Sequence, residues 1–165
     1  LSSGYLPISG VMLGPRIADV LVDSGDWHHG FTYSGHPVAA AVAIKNIEIM
    51  EREGLIEKVA KDTGPYLEER LGSLADHPLV GEVRSHGLLG AIELVEDKAT
   101  RKRWDPPGRA GGICRDHCLA NGLMMRACVD TMVMSPPLVI SRAQIDELVA
   151  SARAALDATL AALKA

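Results

Sequence analysis

Two stretches decide the fold: residues 2–10, which read SSGYLPISG, and residues 30–37, which read GFTYSGHP. The second stretch closes a longer segment, residues 23–36, which combines glycines with Asp, Ser and three histidines. This composition is typical of a loop. Because the segment is too long to be a simple connector, we expect the loop to carry function.

The elements on either side of this loop follow from the hydrophobic pattern. Residues 6–13 form a short apolar run, which predicts a buried strand. Residues 15–22 have helical spacing after a proline suited to a first turn. A longer helix is predicted over 37–53, with proline at its first position and Gly54 as its C-terminal cap. Its first half is apolar all round, which predicts burial on every side.

From residue 51 onward the pattern predicts a compact α+β unit, with helices packed against a small, mostly antiparallel sheet. The predicted elements are a helix over 56–74 with a kink at 64–65, strands over 79–84 and 88–95, a helix over 110–120, strands over 123–126 and 132–134, and a final helix. Ser141 and Gln144 form a capping box at the start of the final helix.

The composition excludes several classes of function. The net charge is −4 with both signs interspersed, which argues against a nucleic-acid surface. Aromatic residues make up only 4%, too few for a base-stacking platform. No apolar run reaches the roughly 20 residues of a membrane span. The three cysteines and the lack of a signal peptide predict free thiols in a reducing compartment, the cytoplasm.

The first residues of the chain suggest that it is part of something longer. The chain begins Leu-Ser-Ser-Gly rather than with methionine, and the apolar run follows almost at once. A domain rarely opens with a core strand so close to its terminus. We therefore expect a fragment of a longer protein; the alternative is a processed N-terminus.

Three matches, in order and with the right spacing, carry a resemblance to a known family. Residues 2–10 resemble the segment that follows the cofactor-binding lysine of class III (omega-transaminase type) aminotransferases, which use pyridoxal 5'-phosphate. Residues 30–37 resemble the family's loop that reaches across a dimer to the cofactor phosphate. A weaker match covers residues 122–137. The resemblance extends over essentially the whole chain.

The resemblance implies an α/β and α+β protein of pyridoxal-phosphate transferase fold type I. Residues 1–50 would be the C-terminal end of the large cofactor-binding domain, and residues 51–165 the small C-terminal α+β domain. The implied function is transamination between an amine or amino acid and a keto acid, in a homodimer with active sites at the interface. The alternatives are a class III aminomutase on the same scaffold and a non-catalytic α+β module that binds a partner.

The resemblance also implies roles for individual residues. Thr32, with Phe31 beside it, would bind the phosphate of the neighbouring subunit's cofactor; the alternative is that this loop only caps a helix. Arg126 would bind a substrate carboxylate, although it could equally be a surface residue or an ion-pair partner. The cofactor-binding lysine would fall just before Leu1. The chain alone is therefore expected to contain no catalytic residue and to be inactive.

Other clusters of potential ligands do not predict a metal site. A structural zinc site needs four ligands in paired spacing, and no second pair accompanies either cluster. We expect these residues to belong to loops or to the core, and the methionines at 124, 125, 132 and 134 to fill the core. The two clusters are His28, His29 and His36, and Cys114, His117 and Cys118.

Overall fold

The computed structural model describes residues 1–164 and divides into two compact units, Leu1–Gly54 and Leu55–Ala165. Among the described residues, no helix combines the length and hydropathy that a membrane crossing requires. The two units are built differently, so each is described by itself.

The first unit consists of two helices and the segments that precede and join them. Helix α1 spans Pro15–Asp23 and helix α2 spans Pro37–Arg52. The ends of α2 follow the predicted signals, because Pro37 opens the helix. In addition, His36 Nδ1 accepts a hydrogen bond from the Ala39 N–H at 3.3 Å. Gly54 follows the helix with a φ of +60°. Both predicted helices are confirmed, as is the loop between them.

The strand predicted over residues 6–13 is wrong, because these residues form no regular structure. A strand exists only where a neighbouring strand takes up its hydrogen bonds, and every strand pair among residues 1–164 lies in the second unit. The residues just before this segment are tied to α2 instead. Ser3 Oγ donates to Asn46 Oδ1 at 2.8 Å, and the Asn46 amide donates to the Leu1 carbonyl at 2.8 Å.

Helix α2 is buried on one face only, so the predicted burial on every side is also wrong. Its buried residues are Ala39 and Ala43, which lie one turn apart on the same face. Val38 and Ile44 are each more than half exposed. The residues of this unit fully bury a single stripe of the helix, and its other apolar side chains are half-buried or exposed.

The second unit opens with a helical segment that changes its winding three times. Helix α3 spans Leu55–Lys58, a π-helical turn spans Val59–Thr63, and helix α4 spans Gly64–Gly72. A 3₁₀ turn, Ser73–Asp76, ends the segment. The predicted interruption at Gly64 and Pro65 is therefore confirmed, with the π turn directly before it. A Cβ on Gly64 would lie 2.5 Å from the Val59 carbonyl oxygen, so only glycine fits there.

The second unit also contains one antiparallel sheet of four strands in the order β1-β2-β4-β3. Strands β1 and β2 confirm the first predicted pair. In the second pair, the first strand is displaced along the chain, since β3 begins at residue 126, where the predicted strand ended. Asn121 and Gly122 form a turn, and the Leu123 N–H donates to the Cys118 carbonyl at 2.9 Å, which ties residue 123 to the preceding helix. The strands are Val80–His86 (β1), Leu89–Leu94 (β2), Arg126–Cys128 (β3) and Thr131–Met134 (β4).

Helices α4, α5 (Arg109–Ala120) and α6 (Arg142–Lys164) share one hydrophobic core with this sheet. The predicted capping box opens α6: the Ser141 N–H donates to Gln144 Oε1 at 3.0 Å, and the Gln144 N–H donates to Ser141 Oγ at 3.3 Å. Three of the four methionines predicted for the core are buried, but Met124 is 84% exposed. The fully buried side chains include Leu67, Leu71, Ile92, Met132, Ile145 and Leu156.

A buried histidine joins the start of β1 to α6. The His77 side chain is 4% exposed; its Nδ1 accepts from the Leu79 N–H at 3.2 Å, and its Nε2 lies 3.3 Å from Asp157 Oδ1. Burial holds the pKa of His77 below its ordinary value, and the Asp157 carboxylate offsets only part of that effect. Asp76 and Arg153 are the other charged neighbours, and they form an ion pair at 2.7 Å.

We expect the free energy of unfolding to fall as the pH drops below about 6.5, the pKa of an unfolded histidine. In that range the unfolded chain binds a proton that folded His77 does not, so acid favours unfolding. Urea unfolding at pH 7.5 and 5.5 measures the effect. His77→Gln should lose part of the pH dependence, whereas His28→Gln, at an exposed loop position, should retain it. Equal pH dependence in His77→Gln and the unchanged chain would contradict this assignment.

Candidate functional site

The loop between α1 and α2 ends in a closed turn, Phe31–Ser34. The Ser34 N–H donates to the Phe31 carbonyl at 2.9 Å, and the Phe31 N–H donates to Ser34 Oγ at 3.0 Å. Ser34 therefore binds both backbone groups of Phe31. Thr32 and Tyr33 are the two central residues of the turn, and both are exposed.

The turn is fixed to the first residues of α2. The His36 N–H donates to the Tyr33 carbonyl at 3.2 Å, and the His36 carbonyl accepts from the Ala40 N–H at 3.0 Å. Gly35, between them, has a φ of +71°, which an L-residue adopts only with strain. The cap on α2 comes from the His36 imidazole, a role that the sequence analysis missed. The signal was a polar side chain directly before the proline that opens a helix.

Thr32 has the free groups that a phosphate contact requires. Neither its N–H nor its hydroxyl has a hydrogen-bond partner among residues 1–164. A hydroxyl and a backbone N–H on an exposed turn can both donate to a phosphate oxygen. Phe31 differs, because its N–H is already bound to Ser34 Oγ. Phe31 is 76% exposed, so its ring is available for a contact.

Aromatic side chains run along the same loop. The Trp27 and His29 rings stack with centroids 5.9 Å apart, and Phe31 meets His29 edge-on at 5.5 Å. The Tyr33 and His36 rings lie 6.0 Å apart. Within residues 1–164, no three His, Cys, Asp or Glu side chains are grouped so that they could hold a metal ion.

Arg126 lies in the second unit, at the first position of β3. Its backbone pairs with Val133 of β4, and its side chain is exposed. No carboxylate within residues 1–164 forms an ion pair with it, so the alternative that it serves as an ion-pair partner has no support in the described part of the chain. A guanidinium free of internal partners can bind a carboxylate through two parallel hydrogen bonds.

The turn after β3 is held by a buried carboxylate. Asp130 Oδ2 accepts from the Gly108 N–H at 2.7 Å, and Asp130 Oδ1 accepts from the Gly111 N–H at 2.9 Å. These N–H groups belong to the first turn of α5, where a negative charge is favoured. Val129, just before Asp130, has a φ of +58°, a strained conformation for a β-branched residue. The sequence analysis missed Asp130, because it lies about twenty residues after the helix start that it caps and so shows no local capping signal.

The cysteines are free, as predicted. Cys114 and Cys118 are buried one turn apart on α5, and His117 between them is half-buried. The expectation that this cluster belongs to the core is confirmed for the two cysteines. Cys128 is exposed at the end of β3.

The family model for class III aminotransferases matches residues 1–156. The chain belongs to this family. It is 56% identical over all 165 residues to the putrescine–pyruvate aminotransferase of Pseudomonas aeruginosa, and it covers 36% of that protein's length. The chain thus spans about a third of the length of the curated relatives that it matches.

Solved structures of class III relatives share the fold. An (S)-enantioselective omega-transaminase from Thermomicrobium roseum has a TM-score of 0.87 and 42% identity over 96% of this chain and 36% of its own. The PMP-bound aminotransferase from Vibrio fluvialis has a TM-score of 0.85 and 35% identity over 97% of this chain and 36% of its own. The predicted class, pyridoxal-phosphate transferase fold type I, is confirmed. Members of this family depend in general on pyridoxal phosphate.

The contact between α5 and the turn that follows β3 is tight enough to be tested by adding one methyl group. A Cβ on Gly111 would lie 2.0 Å from the Val129 carbonyl oxygen, whereas a Cβ on Gly112 would meet nothing within 4 Å. We expect Gly111→Ala to lower the free energy of unfolding by about 1–3 kcal/mol, as overpacked substitutions do. Gly112→Ala should leave it unchanged or raise it by up to about 1 kcal/mol. Urea denaturation compares the two, and equal effects would contradict the close contact.

Proposed function

We propose that this chain is the C-terminal third of a longer enzyme, here called the complete enzyme, that transfers an amino group between an amine and a keto acid. The observation that carries the proposal is the family match over residues 1–156, with 56% identity to an aminotransferase along the whole chain. Coverage of about a third of the relatives' length supports a role as part of a longer polypeptide. The cytoplasm is the proposed location, since free cysteines suit a reducing compartment.

Each unit has a proposed place in the complete enzyme. Residues 1–50 would end the large cofactor-binding domain, and residues 51–165 would form the small domain. Two differences between the units support this division. Residues 6–14 and α1 contribute no buried side chain to the first unit, which suits a segment that packs on further chain. The second unit has a hydrophobic core of its own.

Thr32 and Phe31 fit one edge of a pyridoxal phosphate site. The free hydroxyl and N–H of Thr32 suit a phosphate oxygen, and the exposed Phe31 ring suits a contact with a flat group. When bound, pyridoxal phosphate supplies the electron sink that amino-group transfer requires. In the homodimer that we propose, Thr32 binds the phosphate held by the neighbouring subunit.

The catalytic lysine is assigned to the part of the complete enzyme outside this chain. Lys58 donates to the Ile140 carbonyl at 3.0 Å, and Lys98 donates to the carbonyls of Ala75 and His77. Lys45 forms an ion pair with Glu48 of its own helix, and Lys61 forms one with Glu57, one turn before it. None of the chain's lysines matches the sequence context of the family's catalytic lysine, so the isolated chain should not catalyse transamination.

For substrates we propose an aliphatic amine as the donor and a small keto acid as the acceptor. The support is the name of the 56% identical relative, a putrescine–pyruvate aminotransferase. Arg126 would bind the carboxylate of the keto acid, and that of an amino acid where one serves as donor. Its exposed side chain, free of ion pairs within residues 1–164, is available for such a contact.

Hybrid dimers test the role of Thr32 and the shared site together. One variant of the complete enzyme lacks the catalytic lysine and the other carries Thr32→Ala. In a 1:1 mixture at limiting cofactor, half of the dimers are hybrids with one intact site, so we expect up to about a quarter of the unmodified activity. Thr32→Ser keeps the hydroxyl and should remain active unmixed. If mixing restores nothing above the separate variants, the shared site is wrong.

Arg126 is tested by comparing donors with and without a carboxylate. In the complete enzyme, Arg126→Ala should slow the half-reaction with an amino acid far more than that with a simple amine, by about 2–5 kcal/mol in kcat/KM. Single-turnover absorbance measurements isolate this half-reaction from the keto acid. Arg103→Ala is the matched control, since Arg103 is also exposed and has no ion pair within residues 1–164. Equal losses on both donors would exclude the assignment.

A further inference from the structure

We infer that Ser34 is a positioning residue that holds Thr32 in its phosphate-binding conformation. This inference rests on the phosphate-binding role proposed for Thr32 and adds the residue that fixes its geometry. Ser34 itself would not touch the cofactor, because its hydroxyl is occupied by the Phe31 N–H.

The turn depends on Ser34 twice. Its N–H donates to the Phe31 carbonyl at 2.9 Å, and its hydroxyl accepts from the Phe31 N–H at 3.0 Å. The second bond has a chemical consequence as well as a structural one. It withdraws the Phe31 N–H from solvent, so the free donors at the tip of the turn are the N–H and hydroxyl of Thr32 and the N–H of Tyr33, and Thr32 alone offers two on one residue.

A fixed turn is needed here because little else holds the loop. Thr32 and Tyr33 are exposed, and so are the residues before them back to Val22. An exposed segment that must order on binding loses affinity for its ligand, whereas a segment already in the bound conformation does not. On the other side, Gly35 and His36 attach the turn to α2. Ser34 is thus the side chain that holds the part of the turn that is not attached to α2.

Ser34→Ala removes the hydroxyl and keeps the backbone bond to the Phe31 carbonyl, so the turn should loosen without the protein unfolding. Loss of one such hydrogen bond corresponds to about a two- to tenfold change in affinity. In the complete enzyme freed of cofactor, we expect the Kd of pyridoxal phosphate to rise by that factor. The Kd of pyridoxal, which lacks the phosphate, should not change. Absorbance titration measures both.

Two control variants separate positioning from a general effect on the loop. Ser34→Thr retains a hydroxyl at the same place and should restore the Kd of pyridoxal phosphate. Ser24→Ala removes another exposed hydroxyl of the same loop, one that donates to the Leu21 carbonyl at 3.1 Å, and should have no effect. If Ser34→Ala weakens pyridoxal as much as pyridoxal phosphate, Ser34 has no phosphate-directed role and the inference is wrong.

A cycle with Thr32→Val distinguishes failure of the inference from failure of the proposal beneath it. If Ser34 acts through Thr32, the double variant should lose less affinity for pyridoxal phosphate than the sum of the two single losses, because Thr32→Val leaves only the backbone N–H for Ser34 to position. Additive losses, or a loss in Thr32→Val with none in Ser34→Ala, would overturn the positioning role only. An unchanged Kd in Thr32→Val would remove the phosphate-binding role of Thr32, and the role of Ser34 with it.

Discussion

The hydrogen bonds of the Asp130 carboxylate to the start of α5 are the contact on which the second unit depends most directly. They join the helical layer to the hairpin that carries Arg126. Two unfavourable features exist because of this contact: the left-handed backbone of Val129 and the approach of its carbonyl to Gly111. Strain of this kind persists only where the surroundings enforce it, and it is found mostly near functional residues. A turn held this firmly fixes the strand that begins with Arg126.

The first unit is held together by local contacts and has little buried core. Its order comes from local hydrogen bonds, such as those of Ser34 and His36, and from the link between Asn46 and the first residues. Burial contributes little, because α1 buries no residue and α2 buries only two alanines. A loop attached at one end to a helix, and closed at the other by a serine, combines exposure with a defined shape.

The sequence was most informative where local chemistry determines the structure. The capping box of α6, the proline and glycine that bound α2, and the first hairpin were all predicted and found. The sequence was least informative where pairing or packing with another segment determines the structure. Residues 6–13 have the composition of a strand but no strand to pair with, and Val38 is apolar but exposed. Asp130 was not predicted because its hydrogen-bond partners, Gly108 and Gly111, precede it in the sequence by about twenty residues. The roles predicted for Thr32 and Arg126 came from resemblance alone, since an exposed threonine or arginine carries no signal of its own.

The π-helical turn over Val59–Thr63 restricts changes in the length of this helical segment. A π turn accommodates one residue more than an α turn, so everything after it is advanced by one position. Deleting a single residue there would convert the turn to α-helix and rotate the face of α4 by about 100°. Leu67 and Leu71, both fully buried, would then leave the core. The π turn therefore sets the register of α4, and this segment cannot lose one residue there without repacking Leu67 and Leu71 against the sheet.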